Sequence, residues 1–439
     1  MVFELIKQKL NKLKNNKAFL KYFKNTSWLF FSKGLSFFST IYIGAWIASY
    51  LGPEEYGVLM YSNSIIMLFM PIALIGLTDI TIKALVEETD TQKHQLILAT
   101  SFFLKLIFGS IAFIFLLFFL LLTEDSMYTK LLLLVFSSYL LIQSFEVFDY
   151  FFQSNIKSRF VVYSRIFSLI LTSIIKILLI IYEASSIYFA ISIVLELLLT
   201  HLFTVVYFFS KNKNLFKWKL DMNIAKDFIN RSWPLFLSGL MFVIYIRIDQ
   251  VMVKEILGAK SAGLYAASIN LSEAWYFIPN IIAASLFPAI LISKKQSLEV
   301  YLKRIKNLYS ILFWIAVLIA ILTTFLSDII VNYLYGIDYD ESSSVLIIYI
   351  WSNIFFFLNA VSSKWLVAEG FYLHSLYRNA LGALLNIVLN YFLLYKYGLQ
   401  GAAIATLISY SFVGLFYDLF FKKLRVNFKL KIKSIFYIN

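Results

Sequence analysis

Long apolar runs separated by short polar segments recur along the whole chain. Windows of about 19 residues, the length that crosses a bilayer as a helix, detect six apolar runs in each half. This pattern predicts an all-α polytopic membrane protein with 12 transmembrane helices. In the first half the predicted spans are residues 27–51, 57–77, 96–122, 131–153, 160–182 and 187–209. In the second half they are residues 233–253, 262–292, 308–326, 343–367, 379–395 and 401–421.

Composition narrows the chemistry that the chain can perform. Hydrophobic residues make up 61% of the sequence and charged residues 15%, which excludes a water-soluble enzyme. The chain has no cysteine, so a disulfide framework and a thiolate nucleophile are excluded, and three scattered histidines argue against a zinc site. We therefore expect no cofactor and no bound metal.

The basic residues set the predicted orientation. With the N-terminus inside the cell, the cytoplasmic segments hold most of the 39 Lys and Arg residues, and both termini are predicted to be cytoplasmic. This asymmetry explains the net charge of +14 without a nucleic-acid partner, which is the alternative interpretation of the basic tails. The first apolar run is too long for the core of a cleavable signal peptide. The opposite loops hold only Lys130, Lys254, Lys260 and Lys396.

The two halves of the chain share a sequence pattern. NTSWLFFSKGLSFF from Asn25 aligns with NRSWPLFLSGLMFV from Asn230, and LGPEEYG from Leu51 aligns with LGAKSAG from Leu257. Self-similarity over half the chain length indicates duplication. The paired positions include Trp28 with Trp233, Phe37 with Phe242, and Gly57 with Gly263.

Duplication predicts how the lobes are arranged. Each copy holds six spans, an even number, so both copies insert in the same orientation and are related by a parallel pseudo-two-fold axis along the membrane normal. Two lobes of this kind leave a cleft between them, and rocking them gives alternating access. The predicted domains are a basic N-tail (1–26), an N-lobe (27–209), a cytoplasmic linker (210–231), a C-lobe (232–421) and a basic C-tail (422–439).

Twelve ionisable residues fall inside the predicted spans. Each costs about 2.5–3.5 kcal/mol at the centre of a helix on insertion scales, so most must face protein or water. Helical spacing supports this, because Arg165, Ser168, Thr172 and Lys176 share one face of the fifth span. The twelve residues are Lys33, Lys105, Arg165, Lys176, Arg247, Lys364, Glu146, Asp149, Glu196, Asp249, Glu273 and Asp418.

Two interpretations of these charges stay open. They can line a hydrated cavity, together with asparagines such as Asn270, Asn386 and Asn390, or they can form ion pairs between helices. Three residues near span ends, Lys33, Asp418 and Lys364, are expected to snorkel to the interface instead. A cavity lined by arginine and lysine suits an anion, and guanidinium pairs particularly well with phosphate.

Several motifs resemble one family of membrane transporters. They are SYLGPEEYG (49–57), DYFFQ (149–153), IRIDQVMV (246–253), LGAKSAGLYAAS (257–268) and NIVLNYFLLYKYGLQGAAIATLIS (386–409). In this order and spacing they resemble the polysaccharide transporter family, the O-antigen and capsule repeat-unit flippases of the multidrug/oligosaccharidyl-lipid/polysaccharide exporter superfamily. The resemblance covers nearly the whole chain.

The resemblance implies a multi-pass protein of the bacterial inner membrane that moves an undecaprenyl-diphosphate-linked oligosaccharide between leaflets. Its implied partners are this substrate, membrane lipids, a coupling ion (proton or sodium) and polymerase and chain-length proteins, with the flippase itself a monomer. The substrate-binding residues would be Arg165, Lys176, Arg247, Lys105, Asn270, Asn386 and Asn390. The ion-coupling residues would be Glu146, Asp149, Asp249, Glu273 and Glu196.

Two other functions are alternatives to the flippase. A cation-coupled drug antiporter of the same fold would use an acidic, aromatic-lined cavity, and the six basic residues inside the spans argue against it. A membrane glycosyltransferase or polymerase needs a long extracytoplasmic loop for its catalytic groups, and the longest such loop here, 328–341, is short. No Walker A sequence is present, so we expect a carrier that is neither an enzyme nor a direct user of ATP.

Overall fold

The structure is built from helices. Within residues 17–211, 218–294 and 297–436, which the computed structural model describes, no strand occurs. The α-helices are α1 (Lys17–Leu74), α2 (Leu77–Glu87), α3 (Thr91–Leu122), α4 (Met127–Ile142), α5 (Val147–Ser154), α6 (Arg159–Ile181), α7 (Ser186–Lys211), α8 (Met222–Leu257), α9 (Ala259–Glu273), α10 (Phe277–Lys294), α11 (Leu298–Tyr335), α12 (Glu341–Tyr349), α13 (Ser352–Ala368), α14 (Tyr372–Gly414) and α15 (Arg425–Ile435). Short 3₁₀ turns occur at Gln143–Glu146, Ala274–Tyr276, Ile337–Tyr339, Phe416–Leu419 and Lys422–Leu424. Residues 1–16 of the predicted N-tail, 212–217 of the linker and 437–439 of the C-tail lie outside the described residues.

The helices cross a membrane several times, as predicted. Nine segments of the described chain are long and apolar enough to do so. Helices α1 and α14, which belong to two of these segments, each consist of two helices joined at a glycine with a non-helical backbone, Gly52 in α1 and Gly398 in α14. The predicted span 262–292 is divided between α9 and α10 and is not among the nine. The all-α, multi-pass fold is confirmed, whereas the count of twelve spans and the domain boundaries stay predictions.

The repeated Leu-Gly motif has a local structural cause. Gly52 and Gly258 both have a positive φ, 71° and 88°, with ψ near 170° in each case. Only glycine adopts this conformation without a steric penalty from Cβ. Pro53 follows Gly52 and starts the next helix, where a missing N–H costs no hydrogen bond. The same backbone turn therefore joins consecutive spans at matching places in the N-lobe and the C-lobe.

The two turns bring the duplicated glycines into contact with each other's helices. A Cβ added to Gly57 of α1 would overlap the carbonyl oxygen of Ala259, and a Cβ added to Gly263 of α9 would overlap the carbonyl oxygen of Pro53. Pro53 and Ala259 are themselves equivalent positions of the repeat. The contact is therefore symmetric, and the pseudo-two-fold axis passes through this helix crossing. Small residues allow the close backbone approach that holds membrane helices together.

A cross-lobe ion pair closes the same end of the bundle. We call this end, which carries Gly52, Asp125 and Gly258, the outer end, because the sequence predicts it to be extracytoplasmic. Lys254 of the C-lobe forms an ion pair with Asp125 of the N-lobe and lies over the Tyr61 ring, 4.3 Å from its centroid. The Tyr61 hydroxyl also donates to Asp125, at 3.3 Å. The lobes are thus fastened at the outer end.

Replacing Gly57 with alanine should destabilise the protein. Because the added methyl would overlap backbone rather than a flexible side chain, the helices must move apart, and we expect a loss of about 1–3 kcal/mol in the free energy of unfolding. Thermal unfolding of the detergent-solubilised protein measures the effect. Gly44→Ala is the matched control, since nothing lies within 4 Å of its added Cβ and alanine favours the helix. Equal melting temperatures for the two variants would contradict the close crossing.

Candidate functional site

A cleft of about 290 Å³ lies between the two lobes. The first half of α1 forms its N-lobe wall, and α8, α9 and the start of α10 form its C-lobe wall. Two basic residues face each other across it, Lys33 from the N-lobe and Arg247 from the C-lobe. The lining residues are Lys33, Ser36, Phe37, Thr40, Arg247, Asn270, Glu273, Ala274 and Phe277.

Arg247 is held in place by Glu273. Its Nη2 lies 2.9 Å from the Glu273 Oε2, and 29% of the Arg247 side chain stays exposed to the cleft. Glu273 is the last residue of α9, just before the 3₁₀ turn Ala274–Tyr276. Pro279 explains this break, because it has no N–H to donate to the Trp275 carbonyl. The predicted single span 262–292 is therefore interrupted where its acidic residue meets the cleft.

A third cation lies close to the N-lobe wall. Arg165 of α6 is near enough to Lys33 to repel it electrostatically. Helix α6 also packs beside α1 through Trp28 and Tyr163, whose ring centroids are 5.2 Å apart. Asn270 lies on the opposite wall and donates to the Tyr56 hydroxyl at 2.8 Å, which ties this wall to the N-lobe. The cleft lining thus combines one arginine, one lysine and one amide with a single carboxylate, and Arg165 adds a positive charge behind Lys33.

Two further predicted bases form ion pairs within the N-lobe. Lys105 is fully buried and donates to Glu146 at 2.7 Å and to the Tyr150 hydroxyl at 3.0 Å. Lys176 donates to Glu196 at 2.7 Å, and Thr172 donates to the same carboxylate oxygen at 3.0 Å. In each pair the carboxylate is more exposed than the lysine. These contacts neutralise four of the predicted site residues pairwise.

Asp149 and His201 complete the polar interior of the N-lobe. Asp149 is buried on α5, one turn from Glu146. His201 on α7 is also buried, and neither of its ring nitrogens has a hydrogen-bond partner within the described part of the chain. Because an unsatisfied buried polar group is costly, His201 is an energetically unfavourable member of this polar interior.

A second polar cluster lies inside the C-lobe. Asp249 of α8 is buried and accepts hydrogen bonds from Tyr265 at 2.7 Å and from Thr406 at 3.1 Å. Asn390 donates to Asn386, and the Oδ1 of Asn390 is unpartnered among the described residues. Asn386 also reaches Thr406, at 3.5 Å. The structure therefore places Asn386 and Asn390 beside Asp249 rather than along the cleft.

This cluster is suited to a cation. Asp249 makes no ion pair with any residue in the described ranges, and an uncompensated carboxylate at bilayer depth needs a proton or a cation. Carboxylate, amide and hydroxyl oxygens are the ligands that hard cations prefer. The described residues contain no group of three His, Cys, Asp or Glu able to hold a metal. Most oxygens available here belong to uncharged side chains, which suits a monovalent ion.

The cleft has a symmetry-related counterpart with different chemistry. A groove of about 320 Å³ lies between the end of α1 and the first half of α8, and Phe242 lines it as Phe37 lines the cleft. Its walls are mainly apolar and include Pro71, Leu74, Leu235 and Phe236. Ser238 of the groove stands at the repeat position of Lys33. Of the cleft and this groove, the cleft beside α9 is the basic one.

Sequence reasoning missed some members of these sites. Lys33 was interpreted as a snorkelling residue near a span end, yet its side chain lines the cleft. Tyr265 and Thr406 were overlooked because hydroxyl residues are common in helices, although both lie in quoted motifs. His201 was set aside with the other scattered histidines. Its position five residues after Glu196, on a span already predicted to carry a charge, is the available signal.

Comparisons with known proteins agree with this architecture. An uncharacterised membrane protein of Methanocaldococcus jannaschii is 27% identical over 216 residues, which cover 48% of this chain and 49% of that protein, so the match spans about half the length of the relative. Lipid II flippase MurJ in an inward closed conformation has a TM-score of 0.69 and 18% identity, with 94% of this chain and 91% of that chain covered. An inward-facing multidrug resistance MATE family transporter of the MOP superfamily has a TM-score of 0.68 and 17% identity, with coverage of 90% and 96%.

The two structural similarities establish the fold, and the sequence establishes the family. Residues 22–294, more than half of the chain, match the family described as polysaccharide biosynthesis protein. The resemblance drawn from the sequence motifs is thereby confirmed. The chain belongs to the polysaccharide biosynthesis protein family and has the fold of the MOP superfamily transporters.

Proposed function

We propose that the chain is a flippase that carries undecaprenyl-diphosphate-linked oligosaccharide repeat units, of O-antigen or capsule type, across the bacterial inner membrane. Its termini would be cytoplasmic, and the lobes would alternate access to the cleft. The observation that carries this proposal is the placement of Lys33 and Arg247 on opposite walls of the inter-lobe cleft. A diphosphate bound between them would contact both lobes at once.

The chemistry of the cleft suits a diphosphate headgroup. Guanidinium and ammonium groups form charge-assisted hydrogen bonds to phosphate that are about twice as strong as neutral ones. Lys33 and Arg165 supply positive charge from the N-lobe, and Arg247 supplies it from the C-lobe. The Glu273 carboxylate orients Arg247 and would be displaced in part as phosphate oxygens take its place. Asn270 offers an amide for sugar hydroxyls.

We assign ion coupling chiefly to Asp249. Its cluster with Asn386, Asn390 and Thr406 would bind the coupling ion, either a proton or sodium. The roles of Glu146, Asp149, Glu196 and Glu273 in coupling, and of Lys105 and Lys176 in substrate binding, stay predictions. Lys105 and Lys176 also have a structural role, because each forms an ion pair with a neighbouring carboxylate. A polymerase or chain-length partner is an expectation that rests on the family resemblance.

Removing the cleft cations should abolish transport. We expect Lys33→Gln, combined with Arg247→Gln and Glu273→Gln, to slow flipping at least a hundredfold, because two charge-assisted hydrogen bonds of about 1.5–3 kcal/mol each are lost. Replacing Arg247 and Glu273 together avoids leaving a carboxylate without its partner. The assay uses the purified chain in vesicles containing lipid-linked oligosaccharide and an ion gradient. A membrane-impermeant lectin reports the sugar that reaches the opposite leaflet.

The controls separate this function from its alternatives. Lys364→Gln also removes an exposed lysine from a predicted span, but away from the cleft lining, and should keep wild-type rates. Failure of the wild-type chain to flip the lipid would overturn the proposal. Accumulation of a cationic drug by the same vesicles would favour the antiporter instead. Full activity of the triple variant would remove the cleft from the transport route.

Asp249→Asn should remove the effect of the coupling ion on stability. A ligand that binds only the folded state stabilises it by about 2.7 kcal/mol at a hundred times its dissociation constant. We therefore expect the wild-type melting temperature to rise with sodium relative to choline, or with falling pH if a proton is the ion, and the Asn variant to respond to neither. Asp328→Asn is the control, since Asp328 is an exposed aspartate outside the cleft and outside both polar clusters, and this variant should keep the response. An unchanged response in Asp249→Asn would refute the assignment.

A further inference from the structure

The C-terminal helix α15 is rotationally fixed against the C-lobe. It follows the end of α14 after two 3₁₀ turns, so it lies where the last predicted span leaves the bilayer. One of its faces is buried, and the members of that face follow helical spacing. They are Asn427, Leu430, Lys431 and Ser434.

A polar network holds this face in one orientation. Lys431 donates to Asp418 and to the Gly414 carbonyl, each at 2.7 Å, and both charged side chains are fully buried. Asn427 donates to Asp418 at 2.8 Å and to Ser362 at 2.9 Å. Burial lowers the pKa of the Lys431 ammonium, against the opposing attraction of Asp418. A buried pair of this kind contributes little net stability, but any other rotation of α15 would leave Asp418 unpaired.

The locked rotation turns a basic face outward. Apolar side chains accompany the basic residues, since Val426 is exposed on α15, Phe436 is exposed directly after it and Phe420 is exposed shortly before it. Phe428, Ile432 and Ile435 form a half-buried flank on one side. In the sequence no Asp or Glu follows Asp418 to offset the positive charge. The exposed basic residues are Lys422, Lys423, Arg425, Lys429 and Lys433.

This combination fits a charged membrane surface. A helix with basic residues on one arc and apolar residues beside them lies in the plane of the interface. Anionic headgroups attract Lys and Arg side chains that lie close to the membrane surface. The preference of Lys and Arg for the cytoplasmic side during membrane insertion would explain the presence of the basic residues. It does not account for a buried ion pair that fixes the rotation, or for exposed phenylalanine and valine among the lysines.

We propose that α15 lies on the membrane surface and binds the phosphate groups of anionic phospholipids. Lys422, Lys423, Arg425, Lys429 and Lys433 form the binding face, and Val426 and Phe436 insert at the boundary between headgroups and acyl chains. This site lies outside the inter-lobe cleft and takes a bulk lipid rather than the transported substrate. It is independent of the proposed flippase activity.

A fluorescent label on α15 tests the position of the helix directly. The chain has no cysteine, so Val426→Cys provides a single site for bimane, and Asp338→Cys at the outer end provides the reference. The labelled chain is placed in nanodiscs of phosphatidylcholine, or of phosphatidylcholine and phosphatidylglycerol in equal parts. With phosphatidylglycerol present, the Val426→Cys label should shift to shorter wavelength and be shielded from acrylamide, a neutral quencher. The reference label should not respond.

Lipid retention in native mass spectrometry tests the binding face. Replacing the five basic residues with glutamine should lower phosphatidylglycerol binding about tenfold or more. The control replaces five other exposed lysines, Lys83, Lys93, Lys157, Lys219 and Lys226, and changes the net charge equally. It should retain wild-type binding.

Two results would overturn the proposal. One is equal quenching of the Val426→Cys label by acrylamide in the two kinds of nanodisc. This measurement uses no charge variant, so it does not depend on whether the glutamine variant folds. The other is an equal loss of bound lipid in the control variant. Neither measurement uses the lipid-linked oligosaccharide, so failure here leaves the flippase proposal intact, and failure of transport leaves this proposal intact.

Discussion

The cost of a charge inside a bilayer governs the arrangement of this protein. Each ionisable side chain at bilayer depth must find a counter-charge, water or a protein interior, because a helix surface facing lipid offers none of these. Three solutions occur in the structure. Lys105 and Lys176 are neutralised by neighbouring carboxylates, Arg247 keeps a carboxylate partner but remains partly open to the cleft, and Asp249 is buried with only neutral donors around it. A buried Asp249 carboxylate without a counter-charge is the least favourable of the three arrangements. We therefore assign the proposed ion coupling to Asp249.

Duplication gave the two halves a shared helix crossing, but the openings on either side of it have different lining residues. The glycine crossing is symmetric, since each copy of the Leu-Gly motif places its glycine against the backbone of the other copy. Such contacts tolerate no side chain, so both copies retain the same small residues. The openings on either side of the crossing carry no such constraint. One has Lys33 where the other has Ser238, so one opening is basic and the other is largely apolar.

The sequence predicted the helical fold well because apolar length and charge placement report membrane insertion directly. Apolar windows average over a single turn, so they do not locate the break at Ala274–Tyr276, for which Pro279 is the local signal in the sequence. The residues of the cleft were predicted only in part. Arg247, Asn270 and Glu273 were identified, but Lys33 was not, since a position along a helix does not reveal which end of the cleft a long side chain can reach. Pairing between Lys105 and Glu146, 41 positions apart, depends on tertiary packing that periodicity does not encode.

Helix α8 links the two sites that a coupled carrier requires. Arg247 and Asp249 are two residues apart, so their side chains leave the helix on different sides. Arg247 reaches the cleft and Glu273, whereas Asp249 reaches Tyr265 and Thr406 in the lobe interior. If the chain is an ion-coupled flippase, an ion bound at Asp249 would draw α14 towards it and so shift the packing of α8. Helix α8 also carries Arg247 of the cleft. Coupling of this kind is reciprocal: where the diphosphate and the ion prefer the same position of α8, each raises the affinity of the other by the same factor. No extended pathway is needed, because a single rigid helix belongs to both sites.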